Sequence, residues 1–299
     1  MSVRLGVSLG GHWLPLDATL RLAHEAEAAG FELVLVDGDA TRIPARPRSP
    51  LYDGPVVCGA VLSRTRRIRA GAIALPGFRN AAVLARELAT LAASSDGRAV
   101  GLFGAGAGRH WAALGLPHRS AAERRCALGE TVDAVRRLLA GGEVTVRGRF
   151  VSLDAVTAPA PRHPVPLVVA ARRPGSIGLA SRLGDVWDAN VPPVPRLLDP
   201  LRRHLARPIE TWIWVFARPR RSADEAYAEY RRLCPWFPVL APAERNVAVL
   251  SGDPAGWREQ LVGLREALGV TLLVLDLCAL GERDARDAIR SQAGSGTIA

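Results

Sequence analysis

The segment 65–108, TRRIRAGAIALPGFRNAAVLARELATLAASSDGRAVGLFGAGAG, decides the fold. An apolar run from Ile68 to Leu75 is followed by a helical pattern with Leu84, Leu88 and Leu91 on one face. The turn Ser95-Asp96-Gly97-Arg98 leads into a second apolar run, which breaks into Gly104-Ala105-Gly106-Ala107-Gly108. The order is strand, helix, strand, then a glycine-rich exit at the second strand's C-terminal end. In parallel α/β folds ligands sit at that end. Glycine there lets the backbone approach a flat ring or a phosphate closely.

Outward from this segment, the same alternation runs the length of the chain. Apolar runs at 3–9, 33–37, 68–75, 99–103, 166–171, 185–189, 209–216 and 271–277 are continuous rather than alternating, as in strands buried on both faces. Helical patterns fall between them at 17–29, 81–93, 176–183, 223–233, 254–267 and 282–292. Another opens with the capping box Ser120 and Glu123 and stops at Gly141. Segment 143–153, EVTVRGRFVSL, reads as a hairpin turning near Arg147-Gly148, outside the main alternation. Eight βα units predict a closed α/β barrel, (β/α)8, with this hairpin added between units four and five. An open doubly wound sheet is the alternative. We expect one domain over residues 1–293 and a flexible Gly/Ser tail over 294–299.

Composition narrows the chemistry. All 39 basic residues are arginine, so a Walker-A lysine, a pyridoxal Schiff base and lysine-based aldolase chemistry are excluded. The net charge of +10 reflects arginines scattered along amphipathic patterns such as Arg124, Arg125, Arg136 and Arg137, without the long run of a nucleic-acid surface. The four cysteines (Cys58, Cys126, Cys234, Cys278) lack metal-ligand spacing and read as small hydrophobes in a reducing compartment. No metal site is expected. The N-terminal MSVRLGVSLGG reads as a strand rather than a signal peptide, and no run reaches membrane-spanning length. A cytoplasmic protein is expected.

Five segments carry a family resemblance. They are 23–37 (AHEAEAAGFELVLVD), 65–108, 125–153, 166–188 (PLVVAARRPGSIGLASRLGDVWD), and Gly252-Asp253-Pro254 with Trp257. In this order they resemble the luciferase-like superfamily of flavin- and deazaflavin-dependent oxidoreductases. The resemblance covers most of the chain. It implies a TIM barrel with a noncovalent cofactor across its C-terminal mouth, either the 5-deazaflavin coenzyme F420 or FMN. It also implies a homodimer and, for the flavin or deazaflavin, a separate reductase as partner.

The resemblance assigns roles residue by residue. Arg172, Arg173, Pro174, Gly175 and Ser176 join a strand to a helix and make the phosphate grip, because a helix start and two arginines attract an anion. Gly104, Ala105 and Gly106 form the floor under the tricyclic ring. Ala72, Ile73 and Ala74 back the central ring, in a segment that carries a non-proline cis peptide in some relatives. Asp37 matches a cofactor-contacting aspartate. Two acid/base groups of relatives are missing: Gly38 stands where a histidine follows the aspartate, and Ala107 where a glutamate follows the floor. His12 and His110 are the candidate proton donors in their place. Trp13, Trp111, Trp187 and Asn190 are candidate pocket walls.

Without the usual base, the reading favours reduction over alcohol oxidation. The expected function is hydride transfer from reduced F420 to an electron-poor C=C or C=N bond of a small organic substrate, in keeping with secondary metabolism. The alternatives are an FMN-dependent two-component monooxygenase and a non-catalytic barrel relative.

Overall fold

The computed structural model describes residues 3–10, 14–38, 52–113 and 115–294. The chain runs β1 (Leu5–Leu9), α1 (Leu16–Ala28), β2 (Leu33–Val36), α2 (Gly54–Arg64), β3 (Arg69–Ala74), α3 (Ala81–Ser94), β4 (Ala99–Gly104), α4 (Gly108–Ala113) and α5 (Ala121–Leu139). An antiparallel hairpin follows, β5 (Val144–Arg147) with β6 (Ser152–Val156), and then β7 (Leu167–Ala170). The remainder is α6 (Pro174–Leu183), β8 (Val186–Asp188), α7 (Pro195–Arg202), β9 (Glu210–Pro219), α8 (Ala223–Leu233), α9 (Pro242–Ala248), β10 (Val249–Gly252), α10 (Trp257–Leu268), β11 (Leu272–Asp276) and α11 (Glu282–Arg290).

Strands β1, β2, β3, β4, β7, β8, β9 and β11 pair in parallel, each with the next, and β11 returns to β1. The ring is closed, which discards the open sheet. Each strand is buried on both faces. Leu33, Leu35, Val100, Leu102, Val168, Val186, Trp212, Leu272 and Val274 fill the barrel interior. Val34, Phe103, Val169, Ile213 and Leu273 face the helices. This double burial explains why the strands read as unbroken apolar runs. The hairpin lies outside the ring, held to α5 by Glu130, whose Oε2 accepts from the N–H groups of Phe150 (2.7 Å) and Val151 (2.9 Å).

Helices α2, α7 and α9 and the far end of β9 differ from the sequence expectation. Helix α2 (GPVVCGAVLSR) is too uniformly small and apolar to show a stripe; Asp53 caps it by accepting from the Val56 N–H at 3.2 Å. Helices α7 and α9 both start on a proline at the first turn. Strand β9 extends to Pro219, beyond the expected 216, because β10 pairs with its far end from Phe216 to Pro219. That pairing comes from residues 33 positions downstream and has no local signal.

One buried acid ties the barrel floor together. Glu27 of α1 is 8% exposed, and its Oε1 accepts from the N–H groups of Arg66, Arg67 and Ile68 at 2.8, 2.6 and 2.9 Å. Burial alone would raise its pKa, but the three donors outweigh burial and hold it below the usual carboxylate range. A depressed pKa means stability that is present above the unfolded value and is lost as pH falls through the folded one. Glu27→Gln is expected to cost about 1–3 kcal/mol near neutrality. It should also shallow the acid limb of a pH–stability curve measured by urea unfolding.

Candidate active site

Alternation along the strands decides which side chains reach the barrel mouth. The inward rows end on Gly104 of β4, Asp188 of β8, Trp214 of β9 and Asp276 of β11. Asp188 is 2% exposed. Its Oδ1 accepts from the Asn190 N–H at 3.2 Å, and Asn190 itself sits at φ +43°, a left-handed turn that asparagine tolerates. Burial pushes the Asp188 carboxyl up to about 7, against the Asn190 N–H and the adjacent Trp214 indole, which favour the charged form. Asp276 is committed elsewhere: its Oδ1 accepts from the Cys278 N–H at 2.9 Å.

The β7–α6 corner is cationic. Arg172 lies 5.9 Å from the ring centres of both Trp236 and Phe237. Burial lowers its pKa first and the charge of Arg173 next. Arg173 is exposed, and the Arg125 side chain from α5 lies against Gly175, 3.5 Å from where a β-carbon there would stand. Arg125, Arg172 and Arg173 form no ion pair among the described residues. The helix start itself offers little. Pro174 has no N–H, and the N–H groups of Ser176 and Ile177 both return to the Arg173 carbonyl at 3.0 Å, which leaves that of Gly175. The anion-attracting character therefore comes from guanidinium groups more than from the helix end.

At the β4 exit the glycines make room for the protein's own side chains. A β-carbon on Gly104 would stand 3.2 Å from Ile73 Cδ1, and one on Gly106 (φ +64°) 2.6 Å from the Trp111 ring. Trp111 is buried, edge-on to Phe78 at 5.1 Å, with the Arg124 guanidinium over its ring at 5.7 Å. Among the described residues Trp111 Nε1 and Arg124 Nε have no hydrogen-bond partner. Of the β3 trio, Ile73 faces the interior, whereas Ala72 and Ala74 pack into the helix layer. Asp37 is half-buried at the end of β2, and Gly38 next to it is packed onto the Ile73 backbone. Every peptide bond among the described residues is trans.

The insertion after β9 roofs the opposite side. Phe216 stacks on Tyr230 of α8 (centroids 4.7 Å, interplanar angle 25°), and Tyr230 meets Phe237 at 5.6 Å. Arg218, 2% exposed, lies 3.7 Å over the Phe216 ring and donates to the Cys278 carbonyl at 2.6 Å.

The sequence profile of the luciferase-like monooxygenase family matches residues 3–271. The chain belongs to that family. An F420-dependent glucose-6-phosphate dehydrogenase of Beutenbergia cavernae is 37% identical over 130 residues, which are 42% of this chain and 39% of that protein. The match thus spans about two fifths of the curated relative's length. Among solved structures, an F420-dependent secondary alcohol dehydrogenase in complex with an F420–acetone adduct superposes with TM-score 0.79 at 20% identity, over 100% of both chains. The monooxygenase RslO1 of Streptomyces bottropensis gives 0.76 at 24% identity, over 97% of this chain and 98% of that one. At these identities the structural matches carry the fold.

In this luciferase-like barrel the candidate residues divide. Asp37, Ile73, Gly104, Gly106, Arg172, Arg173, Gly175 and Asn190 fall at the C-terminal mouth. Trp187 does not: it is fully buried between the strands and the helix layer, its Nε1 donating to the Ala171 carbonyl at 2.8 Å, so it walls no pocket. Trp111 plugs the glycine exit, so the floor is a tryptophan and an isoleucine rather than bare backbone. His12 and Trp13 lie outside the described residues, as does the side chain of His110. Asp188, Arg125, Arg124 and Arg218 were missed. The signal for Asp188 was present, since it is a lone acid in a strand buried on both faces, one position from the tryptophan chosen instead.

The donor set suits a planar, acceptor-rich, anionic ligand. Among the described residues Trp111 Nε1 and Arg124 Nε are buried with no hydrogen-bond partner, and Arg125, Arg172 and Arg173 beside the start of α6 form no ion pair. Among the described residues no helix is long and apolar enough to cross a membrane.

Proposed function

We propose that this barrel is an F420-dependent reductase acting on an electron-poor C=C or C=N bond of a small organic substrate. The observation that carries the reading is the group Arg125, Arg172 and Arg173 around the start of α6, which form no ion pair among the described residues and fit the anionic tail of such a cofactor. The F420 dependence named for the curated dehydrogenase relative favours the deazaflavin over FMN. When bound, the cofactor would supply a hydride. The chain's own work is to orient two flat rings, exclude water with the Phe216–Tyr230–Phe237 roof, and hold a proton nearby.

Reduction fits better than sugar-phosphate oxidation. A base on the residue after Asp37 has no place, because Gly38 is packed onto the Ile73 backbone. FMN-dependent oxygen chemistry is the second reading, favoured by the family profile itself.

Quenching of tryptophan fluorescence by each cofactor separates them. Saturable F420 binding supports the proposal; FMN binding with no F420 affinity rejects it; binding of neither leaves a non-catalytic barrel. Arg125→Ala with Arg173→Ala is expected to weaken F420 by about 10- to 100-fold, since hydrogen bonds to charged groups are worth about 1.5–3 kcal/mol each. The same pair should flatten the salt dependence of binding. Unchanged affinity would place the tail elsewhere.

A further inference from the structure

Asp188 is a buried carboxyl at the mouth with no ion-pair partner among the described residues. It closes β8, in register with Ala170 of β7 on one side and Trp212 of β9 on the other. Both neighbours are uncharged, and Asp188 forms no ion pair among the described residues. The charged groups of the same rim are engaged otherwise. Arg172 lies on Trp236 and Phe237, and Arg218 bonds the Cys278 carbonyl and pairs with Glu229 of α8 at 3.0 Å. Asp276 accepts from its own loop, and Asp37 stands at the end of β2, on the opposite side of the ring. A carboxyl buried without a cation keeps its proton well above the ordinary range, and here burial brings it to about 7. Its place also fits chemistry: the C-terminal ends of barrel strands are where reacting groups stand. The Trp214 indole stands beside it and is the side chain that favours its charged form.

Resting on the redox reading above, we propose that the Asp188 carboxyl delivers the proton that accompanies hydride addition to the substrate. The addition consumes one hydride and one proton. A reduced deazaflavin, when bound, would supply the hydride for a C–H bond at one end of the C=C or C=N bond. The π electron pair moves to the other end and takes the proton as the Asp188 O–H bond breaks. The carboxylate left behind is reprotonated from water. This assigns the acid role to a residue that replaces the missing histidine and glutamate from a different strand.

The test reads protonation first, without cofactor. Infrared difference spectra of the apoprotein between pH 5 and 9 are expected to show a protonated-carboxyl band that titrates with a midpoint about 7 and vanishes in Asp188→Asn. Trp214 fluorescence should titrate with the same midpoint, and Trp214→Phe should remove that response. With F420 and a reducible substrate, the parent's turnover should fall above about pH 7. Asp188→Asn should bind F420 as the parent does, lose about 10²-fold or more in turnover and lose that alkaline limb. A parent protein with no carboxyl titrating near neutrality overturns the proposal, whether or not the variant folds. So does a variant that turns over at the parent's rate. Absence of saturable cofactor binding overturns the redox reading and the proton-delivery role with it, whereas the infrared titration still reports the state of Asp188 by itself.

Discussion

Gly38→Ala is expected to destabilise the protein by at least about 4 kcal/mol, at the severe end for a single substitution. A β-carbon at this position would stand 1.9 Å from the Ile73 carbonyl oxygen, 2.8 Å from its carbon and 2.9 Å from its nitrogen. No side-chain rotation relieves that clash, because every atom met is backbone. The backbone cannot simply withdraw either. β2 and β3 are pinned in register through Val36 and Ala72, and Gly54 at the start of α2 is packed against the same point from the other side. For a chain of this size the loss corresponds to a fall of roughly 10 °C or more in Tm. Urea unfolding monitored by circular dichroism would measure it, and a cost under about 1 kcal/mol would mean that the strand ends do not meet as described. The consequence is functional. Gly38→His, which would write back the proton-transfer residue of some relatives, should fail to fold rather than gain dehydrogenase activity. The absence of a base here is built into the β2–β3 contact.

What was legible in the sequence follows from where the constraints are local. A barrel strand buried on both faces must be an unbroken apolar run, so all eight could be read directly, and the capping box predicted at Ser120 and Glu123 is present in both directions at 2.9 and 3.2 Å. The β5–β6 turn lies at Gly148, whose N–H bonds the Val151 carbonyl. The site was harder to read because it is assembled by ring closure. Arg124 and Arg125 look like a solvated helix face until α5 is brought against the β4 exit and α6. The parity of β8 is not visible in so short a strand: it turns Trp187 outward into the helix layer and Asp188 inward. The α9–β10 segment is legible only once β9 is known to project beyond the rim. Nothing local to the glycine exit indicates that Trp111 packs over Gly106.

The mouth's roof should depend on one buried cation, and Arg218→Met is expected to show it. Methionine keeps much of the length and apolar bulk but none of the donors. Arg218 Nη1 donates to the Ala217 carbonyl at 2.7 Å and Nη2 to the Cys278 carbonyl at 2.6 Å, while Nε lies 3.0 Å from Glu229 Oε2 as an ion pair without an aligned hydrogen bond. The substitution therefore removes the donor to the Cys278 carbonyl and leaves the Glu229 carboxylate facing an apolar side chain. Breaking a buried pair from one side costs about 3–5 kcal/mol. Glu229 keeps some solvent contact, at 26% side-chain exposure, which argues for the lower end, about 3 kcal/mol. The guanidinium also lies on the Phe216 face, and Phe216 carries Tyr230 and thereby Phe237, so the loss propagates along the aromatic stack. Trp236, 42% exposed at the edge of that stack, is expected to report the loosening as a red-shifted emission before global unfolding. Arg218→Ala should cost more than Arg218→Met, because it removes the stacking bulk as well as the charge. If both variants unfold within about 1 kcal/mol of the parent, the roof is held by aromatic packing alone, and the guanidinium is free to serve a ligand instead.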